Sequence, residues 1–403
     1  LDIPELFLRE GNPYLADDGR DWWDNGERFG VFSRAVAELA MDRAGLGWRA
    51  DVVHANDWQT GLVPAFLREE AHRPRTVFTI HNMAYAGYFP KSLFDSMWLP
   101  WQWWTMDGVE FYGQLSMLKA GIKYADWVTT VSPTYAHEIC TDAYAYGFAG
   151  IMQHCREQGR LVGILNGIDD EQWNPAKDPH IPYHYSVERG RVSQKKRNKE
   201  ALLQELGVSD AQARLDQPLI GFVGRLVAQK GVDLIIDVIP KLLHKHAVNF
   251  VLVGTGEEHF EKALQWLAHS YPDRVFVHLG YSEKIAHLVE AGADMFLMPS
   301  RFEPCGLNQM YSLAYGTLPI VHHTGGLIDT VVNASEENLE KNLATGFVFY
   351  EPTPHALIST LEHALYLFSK PRTWQQIQKN GMSQSFGWQT SAEAYTQLYV
   401  KEL

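Results

Sequence analysis

Cysteine is scarce in this chain. There are three in 403 residues, Cys140, Cys155 and Cys305, and none is paired at metal-ligand or redox spacing. That excludes a disulfide framework and a cysteine-built zinc module, and a reducing cytoplasm is the simplest home. Long apolar runs are missing as well: none approaches the ~18 residues a membrane span needs. The opening Leu1-Asp-Ile-Pro-Glu-Leu6 lacks the basic start of a signal peptide. Positive charge is in deficit, 35 basic against 48 acidic residues for a net −13, which argues against nucleic acid or an anionic membrane as the main ligand. Neither tandem repeats nor low-complexity tracts are visible.

What is present is an ordinary globular composition, 46% hydrophobic and 21% charged, over a length suited to two or three domains. Aromatic residues are plentiful: 13 Trp, 18 Tyr and 19 Phe. They cluster at Trp22-Trp23 and along Met97-Trp-Leu-Pro-Trp-Gln-Trp-Trp104. Core packing is the first reading of such clusters and platforms for sugar rings the second.

Short β-branched runs alternate with helical periods throughout. Strands are predicted at 51–55, 76–80, 127–131 and 161–165, with helices near 60–69 and 114–125. After a Pro-rich, basic stretch at 167–217, six more strands follow at 218–223, 249–253, 274–279, 294–299, 318–322 and 346–350. This alternation predicts parallel sheets covered by helices, in two doubly wound domains. The predicted organisation is a first domain at 1–166, a connection at 167–217, a second domain at 218–385 and a helix at 386–403 crossing back. Ligands of open α/β sheets bind at the carboxyl ends of strands, and every motif below falls there.

The most informative stretch is Ser300-Arg-Phe-Glu-Pro-Cys-Gly-Leu-Asn-Gln309. It places Glu303 in a strand-to-helix loop, with Gly306 opening the helix. A helix start offers free N–H groups and a positive dipole end, suited to phosphate, with the carboxylate beside it for sugar hydroxyls. Upstream, Gly224-Arg-Leu-Val-Ala-Gln-Lys-Gly231 supplies two cations, Arg225 and Lys230, also after a strand. Arg grips a diphosphate bidentately and Lys adds a compact charge. Together these point to a nucleotide-sugar diphosphate site; a solvated charged loop is the plainer reading of the cations.

Other strand ends are read more evenly. Asp57 and Trp58 end the first strand, where the carboxylate either orients a sugar hydroxyl or caps the next helix. His81 and Asn82 follow the second strand. Asn166-Gly167 reads as a turn pair. Val253-Gly-Thr-Gly-Glu257 is an incomplete dinucleotide fingerprint, and Tyr281 either stacks a base or packs. Thr324-Gly-Gly-Leu327 suits close backbone approach to a polar ligand, or a plain turn.

These motifs resemble the bacterial and plant glycogen/starch synthase family. The resemblance rests on His54-Ala-Asn-Asp-Trp58, Thr79-Ile-His-Asn82, Lys119-Ala-Gly121, Val131-Ser-Pro-Thr-Tyr135, Leu165-Asn-Gly-Ile-Asp169, Gly224-Arg-Leu226 with Gln229-Lys-Gly231, Pro299-Ser-Arg-Phe-Glu-Pro-Cys-Gly-Leu307 and Thr324-Gly-Gly-Leu327. It implies two facing Rossmann-like domains, the GT-B arrangement. It also implies transfer of glucose from ADP-glucose to the non-reducing end of an α-1,4-glucan such as glycogen, with retention. No metal or cofactor is implied, and neither is a nucleic-acid or membrane partner. Carried over, Arg225 and Lys230 hold the diphosphate, and Glu303 holds the donor glucose near the reaction centre. His81 and Asn166 contact that glucose, while Tyr281 neighbours the adenine. Cys305, Gly306, Leu307 and Asn308 line the donor side; Asp57, Trp58, Asn82 and Tyr14 line the acceptor side, with Asp57 also a conceivable catalytic group.

Two departures stand out. Retaining relatives often carry a second Glu eight residues after the first, where this chain has Tyr311. The family's opening Lys-x-Gly-Gly-Leu loop is not found before residue 50, so the expectation is a first domain entered part-way. A glucan-binding remnant without turnover is therefore the second hypothesis. A phosphorylase, which needs a pyridoxal phosphate lysine, and an NAD dehydrogenase, which does not need Arg225 and Lys230, fit less well.

Overall fold

The computed structural model describes residues 2–16, 19–187 and 192–400. Two compact units emerge: Leu1–Leu165 with Ala392–Leu403, and Asn166–Ser391. No helix among the described residues is long and apolar enough to cross a membrane.

The first unit is built on four parallel strands, β1 (Val52–Asn56), β2 (Arg75–Ile80), β6 (Trp127–Thr130) and β7 (Leu161–Gly163), in the order β1-β2-β6-β7. Between β2 and β6 the chain makes a small antiparallel sheet of β3 (Tyr88–Pro90), β4 (Glu110–Phe111) and β5 (Gln114–Ser116). The predicted helix near 114–125 accordingly starts later, at Met117, after Ser116 caps it by accepting from the Lys119 N–H. That helix presses on the sheet where Gly121 meets the ring of Phe78, leaving no room for a Cβ. The tryptophan-rich stretch divides between the two readings' surroundings. Trp103 is buried and donates to Glu69 Oε1 at 3.0 Å, whereas Trp98 and Trp101 stand in solvent.

The C-terminal helix Trp388–Val400 closes the sheet of this unit with its last two turns. Leu398 packs with Val77, Trp127 and Ile164, and Arg75 donates to the carbonyl of Tyr399 at 2.8 Å. His54 is the pin: Nε2 lies 2.6 Å from Thr79 Oγ1 and Nδ1 lies 2.7 Å from the Tyr399 hydroxyl. Burial, with His81 nearby, pushes the His54 pKa down to about 4. The folded state thus keeps His54 neutral. Its contribution is complete above the unfolded pKa near 6.5 and is lost as pH falls toward 4. In urea titrations, His54→Gln is expected to narrow its stability deficit against the wild type between pH 7 and pH 4.5; a deficit that stays constant over that range contradicts the assignment.

The second unit carries six parallel strands: β8 (Leu219–Val223), β9 (Asn249–Gly254), β10 (Val275–Leu279), β11 (Met295–Met298), β12 (Leu318–His322) and β13 (Phe347–Phe349). All six fall where the apolar periodicity places them. Their order is β10-β9-β8-β11-β12-β13, which in the unit's own count is 3-2-1-4-5-6, the doubly wound dinucleotide-fold order. The order reverses between β8 and β11, so the crevice for a ligand opens beyond Val223 and Met298.

The polar helix Lys195–Glu205, read from sequence as part of a connection, is built into this unit rather than solvated. Lys195 is buried, and its ammonium donates to the carbonyls of Glu290 and Ala291 at 2.9 Å each. These are carbonyls at the end of helix Glu283–Gly292, where a cation satisfies orphan acceptors. Lys199 pairs with Asp294 at 2.7 Å. Burial pulls Lys195 down to about 7.

Candidate active site

In the second unit, the loops after β8 and β11 meet at the reversal point. Glu303, 7% exposed, accepts from Lys230 Nζ at 2.5 Å and from Ser300 Oγ at 2.9 Å. The loops are further laced by Gln229 Nε2 to the Phe302 carbonyl, 3.3 Å, and Arg301 Nη1 to the Ala228 carbonyl, 2.9 Å. Residues 73 apart in sequence thus form one charged cluster at the strand ends. Arg225 differs from Lys230 in being exposed; its guanidinium reaches Gln229 Oε1 at a long 3.4 Å. Arg225 has little to hold in the fold itself, which leaves its fork available to an anion.

After Glu303 the chain turns through Gly306, at φ +71°, into helix Asn308–Tyr315, whose start has no side-chain cap. Its first N–H groups are thereby left for a ligand. Gly306 sits one turn position before the helix rather than opening it. Asn308 is committed in part, since its Nδ2 donates to the Val223 carbonyl at 2.8 Å and ties the helix to the end of β8. Cys305 is buried, with Asn166 placing a backbone N–H against its sulfur, and burial raises the thiol to about 12, so it is no nucleophile. Leu307 and Tyr281 are exposed, the latter at 86%.

The glycine pairs seat these loops. A Cβ on Gly325 would lie 2.0 Å from the Glu303 carbonyl oxygen, and one on Gly326 would lie 2.2 Å from that of Cys305. The Gly326 N–H also donates to the Glu303 and Pro304 carbonyls. The expected close approach is therefore made by the Glu303 loop itself. Likewise, Cβ atoms on Gly254 and Gly256 would strike the carbonyls of Gly224 and Leu226. The incomplete fingerprint at 253–257 supports the Arg225 loop rather than a dinucleotide.

In the first unit, Asp57 follows β1 with φ +57°, a strained setting for a residue with a side chain. Its carboxylate makes no helix-capping bond. Instead Oδ1 accepts from the His81 N–H at 2.8 Å, with the Asn82 N–H contributing, and so joins the ends of β1 and β2. Burial raises the Asp57 pKa, opposed by His81 and these N–H groups. His81 Nε2 lies 3.0 Å from Asn56 Oδ1, an acceptor that fixes the plane of the ring. Asn82 Oδ1 accepts from the Ala84 N–H.

Trp58 sits in an aromatic cluster. It meets Phe29 edge-on at 5.1 Å and Phe89 at 5.6 Å, and it covers Gly87 so closely that a Cβ there would be 2.6 Å from the indole. Tyr14, half in solvent, reaches the same cluster through Phe29 at 6.0 Å. Asn56 and Ser300, which orient His81 and Glu303, lie inside motifs quoted from the sequence but were given no role there: a single polar residue beside a carboxylate or imidazole carries no signal of which side chain it will hold. Tyr311, in place of the second Glu, stacks flat on Trp173 at 3.8 Å.

A charged cluster at the reversal point of a doubly wound sheet, in a chain with a second parallel sheet, fits a glycosyltransferase of the GT-B class. The chain matches the model described as starch synthase catalytic domain over residues 1–154, and that of glycosyl transferases group 1 over 208–381. It is 64% identical to a glycogen synthase of Hydrogenovibrio crunogenus over 99% of this chain and 82% of that one. It is 51% identical to one from Thioalkalivibrio sulfidiphilus, over 99% and 81%. A starch synthase IV catalytic domain from Arabidopsis thaliana, bound to ADP and acarbose, superposes with a TM-score of 0.87 at 32% identity, covering 98% and 80%. A sucrose-phosphate synthase from Thermosynechococcus elongatus, 19% identical with a TM-score of 0.58 over 93% of this chain and 78% of that one, shares the fold. The chain belongs to the glycogen synthase family, the glucosyltransferases of glycogen synthesis.

Proposed function

We propose that this chain transfers glucose from ADP-glucose to the non-reducing end of an α-1,4-glucan, with retention, as a cytoplasmic enzyme. The observation that carries this reading is the Lys230–Glu303 pair, 2.5 Å apart at the reversal of the second sheet, with Arg225 on the same loop held only by a long contact to Gln229. In this reading Arg225 and Lys230 take the diphosphate of the donor. Lys230 leaves Glu303 for the phosphate, and Glu303 turns its carboxylate to hydroxyls of the glucose. Backbone groups of Cys305, Gly306 and Leu307 and the free side of Asn308 complete the donor contacts. Asn166 and His81 contact the glucose, and Tyr281 covers the adenine. Trp58, Asn82 and Tyr14 receive the glucan.

The bond from C1 to the phosphate oxygen breaks while C1 bonds to the acceptor oxygen on the same face. The acceptor proton passes to the departing phosphate oxygen, and ADP leaves. Charge accumulates on that oxygen as positive charge grows on the sugar, so fixed cations on one side and a carboxylate on the other stabilise the transition state. Asp57 is assigned a positioning role, because its carboxylate is spent on the backbone N–H groups of His81 and Asn82. Asp57→Asn, which keeps an acceptor oxygen, is expected to retain turnover within about tenfold. Asp57→Ala is expected to lose more through His81. Loss of all activity in Asp57→Asn, with the fold intact, assigns the charge itself a part in the chemistry.

The test of the function is release of ADP from ADP-glucose in the presence of glycogen, with incorporation of labelled glucose at chain ends that β-amylase can remove. Transfer from UDP-glucose at an equal rate overturns the donor assignment. Glucan retention without transfer from either donor overturns the enzymatic reading.

A further inference from the structure

Outside the donor cluster, helix Glu283–Gly292 carries Glu283 and His287 one turn apart, on one face. The turn at residue 180 brings His180 to them, its ring centroid 4.6 Å from that of His287. One donor atom from each of His180, Glu283 and His287 lies within 4.8 Å of the others. His287 is wholly buried, yet its Nε2 has no hydrogen-bond partner. Its other nitrogen, Nδ1, lies 2.8 Å from Asp178 Oδ2, and Asp178 is held in turn by the Tyr315 hydroxyl at 2.5 Å. A carboxylate accepting from Nδ1 fixes the proton there and presents Nε2 as a bare lone pair. This is the arrangement that supports imidazoles bound to metal. Trp173 stacks on the His287 ring at 3.7 Å and 11°, which locks its plane. A buried, oriented and unpaired acceptor is costly to a fold unless something takes it up.

We propose that His180, Glu283 and His287 form a divalent-metal site, with zinc the fitting ion: two imidazoles and one carboxylate, Asp178 as the outer support of His287, and a fourth position left to water. The donor set is the one zinc takes at three-ligand sites. Tetrahedral coordination places donors about 3.3 Å apart, so the side chains of His180 and Glu283 close by rotamer changes on a preset His287. Glu283 gives up its bond from Gln172 Nε2, 2.8 Å, on doing so. The ion would clasp the 178–180 turn to the first turn of the helix, two residues after Tyr281. It would act on the backbone leaving β10 rather than on the sugar.

The test uses the whole 403-residue chain, stripped with chelator and titrated with Zn2+ by calorimetry. Thermal unfolding is followed with and without the ion, beside His180→Asn and Glu283→Gln. Wild type is expected to bind one Zn2+ in the micromolar range or tighter, and to rise in Tm with the ion; each variant is expected to keep the metal-free Tm and bind about tenfold or more weakly. Co2+ in place of Zn2+ is expected to give visible bands without thiolate charge transfer in wild type alone. Wild-type affinity weaker than about 100 μM, or variants that bind as wild type does, overturns the site. The second of these outcomes assigns the ion to others of the chain's 17 histidines.

Discussion

Glu303→Gln is expected to lower kcat for glucose transfer by about 10²–10³-fold, ~3–4 kcal/mol of transition-state stabilisation, while the donor KM moves little. The substitution keeps the size of the side chain and an oxygen for Ser300, so the loop seated on Gly325 and Gly326 stays in place. What it removes is a negative charge on a side chain that is itself nearly buried, where charge acts more strongly than in water. An interaction stronger in the transition state than in the ground state shows in kcat. If Glu303 serves only to hold Lys230 in place, the loss will fall on KM. Steady-state kinetics with ADP-glucose, alongside a Tm measurement, separates the two.

The second large effect is expected at the cations. Lys230→Ala should cost about 10²-fold or more in kcat/KM, because the departing diphosphate loses a fixed partner. It should also lower stability by about 1–3 kcal/mol, since the largely buried Glu303 carboxylate is left without its cation. Arg225→Ala should cost activity of similar order and no stability, for the exposed guanidinium holds nothing but a long contact to Gln229. The contrast is the diagnostic part. A pair of variants with equal losses in activity and unequal losses in Tm identifies Lys230 as shared between fold and ligand, and Arg225 as reserved for ligand. In the double variant Lys230→Ala with Glu303→Gln, the stability loss should fall below the sum of the singles. Equal additivity there contradicts the pairing.

Much of this was legible in the residues. The six strands of the second unit are apolar runs bounded by turn residues, so their positions follow from periodicity. Arg225, Lys230 and Glu303 announce themselves because charge just beyond an apolar strand has few structural uses. The order of those strands is another matter. Nothing local in β8 or β11 says they are neighbours; the pairing is a long-range consequence of crossover handedness and packing. The small sheet of β3, β4 and β5 escaped because its strands are two or three residues long, too short for any alternation to register. Asp57 shows a third kind of blindness. An aspartate before a helix reads as a cap, and only the left-handed backbone at that residue turns its carboxylate across to His81. His180 is a fourth case: Glu283 and His287 share helical spacing, but nothing in the sequence ties them to a residue a hundred positions earlier.

The path of the chain has a consequence for synthesis. The second unit is one continuous stretch, Asn166–Ser391, whereas the first is completed by residues from 392 onward. A ribosome working from the N-terminus therefore finishes the later unit before the earlier one. Until Leu398 and Tyr399 emerge, Val77, Trp127 and Ile164 lack their cover and His54 lacks one of its partners. The nascent first unit spends that interval with an apolar sheet face open to solvent, the condition that draws chaperones and aggregation. Deleting residues from 392 onward should thus lower soluble yield out of proportion to their number, although none of residues 392–400 lies in either strand-end cluster.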